Sequence, residues 1–216
     1  GAGRTELLRA LFGLEPVVSG EITLQVHSGW ASPKDRWQQG AGMVSEDRAT
    51  EGLAGSLSVA SNITMNLSHD TSPFGIVRPR HIDTVAREWI DRLGIRTRGP
   101  EQEVRTLSGG NQQKVAIARL LHEKVDILLL DEPTRGIDVA SKSQIYELID
   151  RLAAGDPEHD IRPRAILLVS SYLPELLGVC DRIAVMHRGT LGPARPAHEW
   201  TEHALLLAAT GQGIPA

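Results

Sequence analysis

The 216-residue sequence has one cysteine, Cys180, so an internal disulfide framework is excluded. Its neighbours Leu177, Val179 and Ile183 mark it as a small buried hydrophobe. No stretch approaches the roughly 20 consecutive apolar residues of a membrane-spanning helix. No charged-then-apolar leader precedes Gly1 either, so the cytosol is the expected compartment and any membrane role is expected to come through a partner. A dominant charge is also missing: 23 Lys and Arg stand against 27 Asp and Glu, which gives no electrostatic reason to expect nucleic acid. Aromatic residues make up only 4%. Trp30, Trp37, Trp89 and Trp200 are too scattered to form stacking platforms and read as packing residues, with Trp89 the best core candidate. What is present, 41% apolar and 23% charged residues, is ordinary for a globular domain with one sizeable core. The chain opens without Met, directly on a glycine loop, and is expected to be a fragment or a trimmed domain.

Hydrophobic spacing divides the chain. Thr5 to Phe12 sets Leu7, Leu8, Leu11 and Phe12 on one helical face with Gly13 as the stop, so a helix is expected to spring from the loop GAGRT at Gly1 to Thr5. Glu21 to Val26 alternates as a strand, His27 to Gly40 is turn-rich, and Ala41 to Ser45 reads as a short strand ending at SEDR, Ser45 to Arg48. From about Ala49 the pattern changes. Strong strands are few, Thr71 to Pro79 reads as loop, and His81 to Ile95 carries Ile82, Val85, Trp89, Ile90 and Leu93 at helical spacing. Residues 49–107 are therefore expected to form an inserted helical subdomain. The seven arginines from Arg78 to Arg105 are interleaved with acids and read as a solvated helical face.

Next come a helix over Asn111 to Lys124, the apolar run Val125 to Leu130 as a strand buried on both faces, and an amphipathic helix over Val139 to Ala154. A second buried strand over Ala165 to Ser170, a short helix over Leu173 to Val179 and a strand over Arg182 to Met186 follow. Strand and helix alternate, so the expected fold is α/β, a mostly parallel sheet covered by helices, built from residues 1–48 and 108–216.

Two motifs carry chemistry. In LLLDEPT, Leu128 to Thr134, a buried strand ends in Asp131 and Glu132, which places carboxylates at the carboxyl edge of a parallel sheet, where ligands bind in open α/β folds. In nucleotide hydrolases the first such acid holds Mg²⁺ and the second orients an attacking water. Standing alone, these residues also fit an acidic turn that ends a strand. In LSGGNQQK, Leu107 to Lys114, a serine and two glycines lead into a helix, whose free N–H groups make a phosphate cradle. Standing alone, that segment also fits a helix cap with a flexible lead-in. Ser108 and Asp131 are 23 residues apart, room for one helix and one strand, so the two motifs bracket one αβ unit. His122, His187 and His203 lack ligand-type spacing and read as surface or capping residues.

Together these residues resemble the ATP-binding domains of ABC transporters over nearly the whole chain. LSGGNQQK is similar to the signature motif, ILLLDEP to the Walker B strand, RGID at Arg135 to Asp138 to the D-loop, and GAGRT to the tail of a Walker A loop 127 residues before Asp131. The details resemble the C-terminal half of the tandem ATPases of ribose-, galactose- and xylose-type importers. GAGRT stands in place of GKS or GKT, SEDR at the Q-loop, DEPTRG before the D-loop aspartate, and VSS at Val169 to Ser171 where a switch histidine is usual. ALLLAATG, Ala204 to Gly211, is similar to that half's terminus, and what is missing lies before Gly1.

The resemblance implies a P-loop NTPase fold of RecA-like type that uses ATP and Mg²⁺. It implies that Gly1, Ala2, Gly3, Arg4 and Thr5 meet phosphate, that Thr5 and Asp131 hold the metal, that Glu132 is the catalytic acid, and that Glu46 and Ser171 also line the nucleotide. Leu107, Ser108, Gly109, Gly110, Asn111 and Gln112 would then act across an interface on a neighbour's ATP, with Gly136 and Asp138 as the D-loop. The implied partners are an N-terminal ATPase half or a second ATPase subunit, a membrane permease and, indirectly, a periplasmic or lipid-anchored sugar-binding protein. The implied place is the cytoplasmic face of the membrane, with no nucleic acid involved. Three departures oppose hydrolysis at the chain's own loop: Arg4 is not a compact phosphate-reaching Lys, Glu46 adds negative charge, and Ser171 has no titratable ring. Two other readings stay open, a soluble ABC ATPase acting on nucleic acid or ribosomes and a non-hydrolysing regulatory pseudo-ATPase.

Overall fold

The computed structural model describes residues 2–65 and 79–212. Gly1 and most of the expected loop over Thr71 to Pro79 lie outside the described residues. Helix α1 (Arg4–Phe12) starts at Gly3, whose φ of 98° suits only glycine, and buries Leu8 and Phe12. Strands β1 (Thr23–Leu24) and β2 (His27–Ser28) form a small antiparallel hairpin. This corrects the single strand expected over Glu21 to Val26. Gln25 sits at φ 53°, the chain reverses there, and Val26 is exposed. Alternation of apolar and polar residues marks a two-faced ribbon without saying where it turns.

Helix α2 (Pro33–Gln38) is fixed by a reciprocal cap between Ser32 and Asp35 and by Pro33 in its first turn. It delivers Trp37 edge-on to Phe12, with ring centroids 6.4 Å apart. Strand β3 (Ala41–Val44) follows, then a wide helical turn over Arg48–Gly52. Helices α3 (Val59–Ile63) and α4 (Pro79–Leu93) precede α5 (Gly109–His122), β4 (Ile127–Asp131) and α6 (Val139–Ala154). Strand β5 (Ala165–Val169) and helix α7 (Leu173–Val179) come next. The chain closes with β6 (Arg182–Ile183), β7 (Met186–His187), β8 (Thr190–Leu191), β9 (Arg195–Pro196) and α8 (Glu202–Thr210).

The central sheet is parallel, in the order β3-β4-β5, with Leu130 beside Val44 on one side and Leu168 on the other. Period-2 alternation splits β4 between two layers. Leu128 and Leu130 join the cluster formed with α5 and α6, whereas Leu129 joins Leu8, Phe12 and Met43 under α1. Each of these leucines is essentially fully buried, a contribution of roughly 2 kcal/mol apiece. The same alternation puts Asp131 on the α1 face, next after Leu129. Helices α3 and α4 have no separate core, since Val59, Ile63, Ala86 and Leu93 share the cluster of Val115, Leu120 and Leu148. Trp89 packs at the rim of that cluster instead of within it. Its indole N–H donates to His122 Nδ1 at 3.4 Å, and the Arg92 guanidinium lies 5.1 Å from the ring.

Two strand expectations need correction. The segment from Arg182 to Met186 is divided: β6 pairs with β9 and β7 with β8, each antiparallel. The strand β5 is not buried on both faces, for Ala165 and Leu167 are exposed. They border an apolar groove of about 550 Å³ that also takes in Leu7, Leu176, Ile183 and Met186. An apolar run tells a strand from a loop but not which of its faces is covered. Cys180 also lines this groove, and burial pushes its thiol up to about 11.

Candidate functional site

All three parallel strands end at one edge. The residues that follow them converge there: Ser45 and Glu46 after β3, Asp131 at the tip of β4 with Glu132 next, and Ser170 and Ser171 after β5. The amino end of α1 reaches the same edge, because Leu8 and Phe12 anchor it over Leu129 and Met43. That brings Arg4 and Thr5 to Asp131. Ala2 is held by its carbonyl, which accepts from the Gly189 N–H at 2.9 Å.

Asp131 is fully buried, and neither carboxylate oxygen accepts a well-formed hydrogen bond, the Thr5 hydroxyl standing close enough only to favour the ionised form. Burial pushes this carboxyl above its ordinary value. The Glu132 carboxylate adds to the rise, while the Thr5 hydroxyl and the Arg4 guanidinium oppose it. Two orphan carboxylate oxygens beside a hydroxyl form an oxygen-donor set of the kind a hard divalent cation takes. Among the described residues no group of three or more His, Cys, Asp or Glu side chains converges on a point. A cation at Asp131 would therefore complete its shell with water and ligand oxygens.

Glu132 sits at φ 45°, a left-handed conformation that a non-glycine residue holds only when its surroundings impose it. Its N–H donates to the Val169 carbonyl at 2.8 Å, which ties the turn to β5. Both of its carboxylate oxygens are engaged. Arg4 Nη2 lies 3.7 Å from Oε1, and the Ser171 hydroxyl donates to Oε2 at 3.1 Å. Arg4 is itself anchored, since its Nη1 donates to the Ser170 carbonyl at 3.0 Å. The arginine thus bridges two segments of its own domain.

Beneath this lies a network with little trace in the local residue pattern. Glu175, buried on α7, accepts from the Ser170 hydroxyl and from the Thr134 hydroxyl at 2.9 Å. Burial pushes its carboxyl up, and the Ser170 and Thr134 hydroxyls oppose the shift. It joins the segment after β5 to the segment after β4. A lone acid inside the apolar helix LPELLGV was the one available signal.

The second cluster surrounds the start of α5. Leu107 is buried, Ser108 exposed and Gly109 half-buried. Asn111 Nδ2 donates to the Ser108 hydroxyl at 2.8 Å, and Asn111 Oδ1 accepts from the Arg96 N–H at 2.8 Å. The Ser108 hydroxyl, already accepting, has its proton free to point outward. Gln112 turns back, its amide donating to the carbonyls of Val104 and Leu107. Gly110 allows a close approach of α6, for a Cβ here would stand 2.6 Å from Ser141 Cβ. Gly136, at φ 68°, turns the chain towards Asp138, which caps α6 by accepting from the Ser141 N–H at 3.0 Å.

Residues 1–135 match the ABC transporter family. A putative ribose/galactose/methyl galactoside import ATP-binding protein of Agrobacterium fabrum is 41% identical over 215 residues, which are 99% of this chain and 41% of that protein. The ribose import ATP-binding protein RbsA of Bacillus licheniformis is 42% identical over 98% of this chain and 42% of its own length. The chain thus spans about two fifths of the length of these curated relatives. Among solved structures, a nucleotide-free ATP-binding cassette from an ABC transporter has a TM-score of 0.73 at 16% identity, covering 98% of this chain and 82% of its own. A dimeric ATP-binding cassette bound to ADP and Pi in a post-hydrolysis state has a TM-score of 0.71 at 20% identity, covering 91% and 81%. With a parallel sheet whose carboxyl edge gathers Arg4, Thr5, Asp131 and Glu132, and with this likeness over nearly its whole length, the chain belongs to the ABC transporter family as an ATP-binding domain.

Proposed function

We propose that this domain couples ATP to the import of a monosaccharide of the ribose or galactose class. In this reading its own phosphate loop is degenerate, and its α5 terminus completes the ATP site of a partner. The relatives named as ribose and galactose import proteins, at 41 to 42% identity over nearly all of this chain, support the cargo class. Within the reading, residues 1–48 and 108–216 form the nucleotide core and 49–107 a helical insert. The partners are an N-terminal ATPase half or second ATPase subunit and a membrane permease, with a sugar-binding protein reached through that permease. The place is the cytoplasmic face of the membrane, and no described helix is long and apolar enough to cross it.

The observation that carries the division of labour is the engagement of Glu132. An acid that orients an attacking water works best uncompensated, and here the Ser171 hydroxyl donates to one Glu132 oxygen while the Arg4 guanidinium pairs with the other across 3.7 Å, which lowers the basicity of both. Arg4 in turn pairs with Glu132 and donates to the Ser170 carbonyl. The amino end of α1, with Ala2 and Gly3, still offers N–H groups to phosphate, and Glu46 and Ser171 border the same edge. Thr5 and Asp131 would hold Mg²⁺, which when bound neutralises phosphate charge. Ser108, with its proton free, and the N–H groups of Gly109 and Gly110 at the start of α5 would in this reading bind the γ-phosphate of ATP held by the partner.

The test compares ATP turnover of the tandem protein, this domain joined to an N-terminal ATPase half, in two variants. Ser108→Arg fills the α5 cradle and is expected to lower turnover by at least about 100-fold, the scale of losing a well-placed transition-state contact. Arg4→Ala is expected to change turnover by less than about threefold, since the reading assigns little hydrolysis to this loop. The reverse pattern overturns the assignment.

A further inference from the structure

The two segments that depart most visibly from the family's pattern, SEDR after β3 and DEPTRG after β4, touch each other. Glu46 forms an ion pair with the Arg135 guanidinium. Arg48 takes hold of the same residue from the other side, its Nη2 donating to the Arg135 carbonyl at 3.1 Å. The second arm of the Arg48 fork, Nη1, donates at 3.1 Å to Oε1 of Gln113, a buried residue of α5. The guanidinium thus lies between the first turn of α5 and the loop that leads to α6. A Cβ on Gly109 would stand 3.6 Å from Arg48 Nη2, and one on Gly136 3.9 Å.

The SEDR segment is built to keep this shape. Asp47 accepts from the Thr50 N–H at 3.1 Å and from its hydroxyl at 2.7 Å, and the Ser45 hydroxyl donates to Glu51 at 2.8 Å. These contacts close the wide turn over Arg48–Gly52, an uncommon conformation that recurs near functional sites. Arg48 is partly desolvated, which holds its guanidinium below the ordinary value. Three stretches far apart in sequence therefore meet at one half-buried fork: residues 46–48, the start of α5 and residues 135–136.

We propose that Glu46 and Arg48 are positioning residues that lock the Arg135 loop against the start of α5, and so set where Ser108 and Gly109 stand when a neighbouring nucleotide reaches them. This rests on the reading above that Ser108 and Gly109 face a partner's ATP. Glu46, on this account, acts through Arg135 and has no direct part in holding metal or phosphate. A planar fork that holds two acceptors at once suits the Arg48 position, and a lysine ammonium, a rotatable point charge, does not reproduce that rigid geometry.

The experiment is a charge exchange in the tandem protein, with kcat, KM for ATP and Tm measured for Glu46→Arg, Arg135→Glu and the double variant. Each single reversal is expected to lower kcat about tenfold, the consequence of misplacing a contact group by a fraction of an ångström. KM is expected to stay within about twofold, because the partner's own loop binds that nucleotide. The double variant restores opposite charges and recovers most of kcat. Arg48→Ala lowers kcat similarly, and Arg48→Lys does not rescue it. A purely structural role would lower Tm and leave kcat per folded molecule unchanged, and that result overturns the proposal. So does a double variant no better than the product of the singles. Ser108→Arg is measured alongside. If it leaves turnover intact, the reading of α5 fails; if it abolishes turnover while the charge reversals are silent, only the lock fails.

Discussion

The amino ends of α1 and α5 are both glycine-led helix starts on one domain, yet they stand in opposite conditions. At α1 the charged groups face one another: Arg4 bridges Glu132 and the Ser170 carbonyl, and Ser171 holds the remaining Glu132 oxygen. At α5 the polar groups are propped from behind and left open in front, with Asn111 fixing the Ser108 hydroxyl and Gln112 fixing the preceding turn. The cation at α1 is engaged within its own domain, whereas the Ser108 hydroxyl at α5 keeps its proton free. Possession of a motif and availability of its groups are separate properties, and only coordinates report the second.

The strongest way to break this comparison is to close the α5 side from within. Gly110→Ala places a Cβ 2.6 Å from Ser141 Cβ, so α6 must move. Overpacking of this kind costs about 2 kcal/mol, against which the gain in helix propensity offsets roughly half. We expect a clear fall in the chemical-denaturation midpoint together with lost turnover in the tandem protein. Ser141→Gly in the same chain should return most of both. If the double variant stays as unstable as the single, the close approach of the two helices is not what requires glycine.

The next prediction acts on the α1 side and runs in the opposite direction. Asp131 is buried with two unpartnered oxygens, so its ionised form costs folding free energy that Asp131→Asn removes. Its folded-state pKa is raised from 3.8, so the native state holds the proton more tightly than the unfolded chain does. Stability is accordingly lost as pH rises from about 4 through the higher folded value. The asparagine variant should therefore match the parent chain in acid and exceed it near neutrality, by about 1 kcal/mol or roughly 2–4 °C in Tm. Mg²⁺ with ATP should raise the Tm of the parent and not of the variant. An unchanged or lowered Tm at neutral pH would mean that the carboxylate is compensated in the ligand-free fold.

Both positions also show what the sequence made legible. The run Ile127 to Leu130 followed by two acids identified β4 and the edge of the sheet, because a short apolar strand between turn signals has few alternatives. LSGGN was equally readable as a helix start, and α5 does open at Gly109, while the choice between a phosphate cradle and a plain cap was not written in the local pattern. The exposure of Leu167 was hidden, because it depends on a groove formed with Ile183 and Met186, far along the chain. The hairpin turn at Gln25 was hidden by a left-handed residue that is not glycine. Arg48 lies inside the SEDR segment, but its partners Gln113 and Arg135 are 65 and 87 residues away. Local periodicity cannot report contacts of that length. The buried Glu175 was obscured in the same way, its partner Thr134 lying 41 residues earlier.

The smallest effect concerns whether the two sides are mechanically linked. Lys142, in the first turns of α6 behind the Arg135 loop, places its ammonium 4.9 Å from the Tyr172 ring, and Tyr172 directly follows Ser171. This contact bridges the loop of one side and the segment after β5 on the other. The Tyr172 side is exposed to solvent, so the pair is worth only about 0.5 kcal/mol, and Lys142→Ala should barely move Tm. Turnover is the sharper reading. If the α1 side is a static companion, its motion is not transmitted, and Lys142→Ala, Tyr172→Leu and the double variant should all leave kcat within about twofold of the parent. A coupling energy in kcat that exceeds the coupling in stability would show instead that the occupied α1 edge still signals to α5. The contrast between an engaged and an open helix start would then describe two stages of one device and not two independent sites.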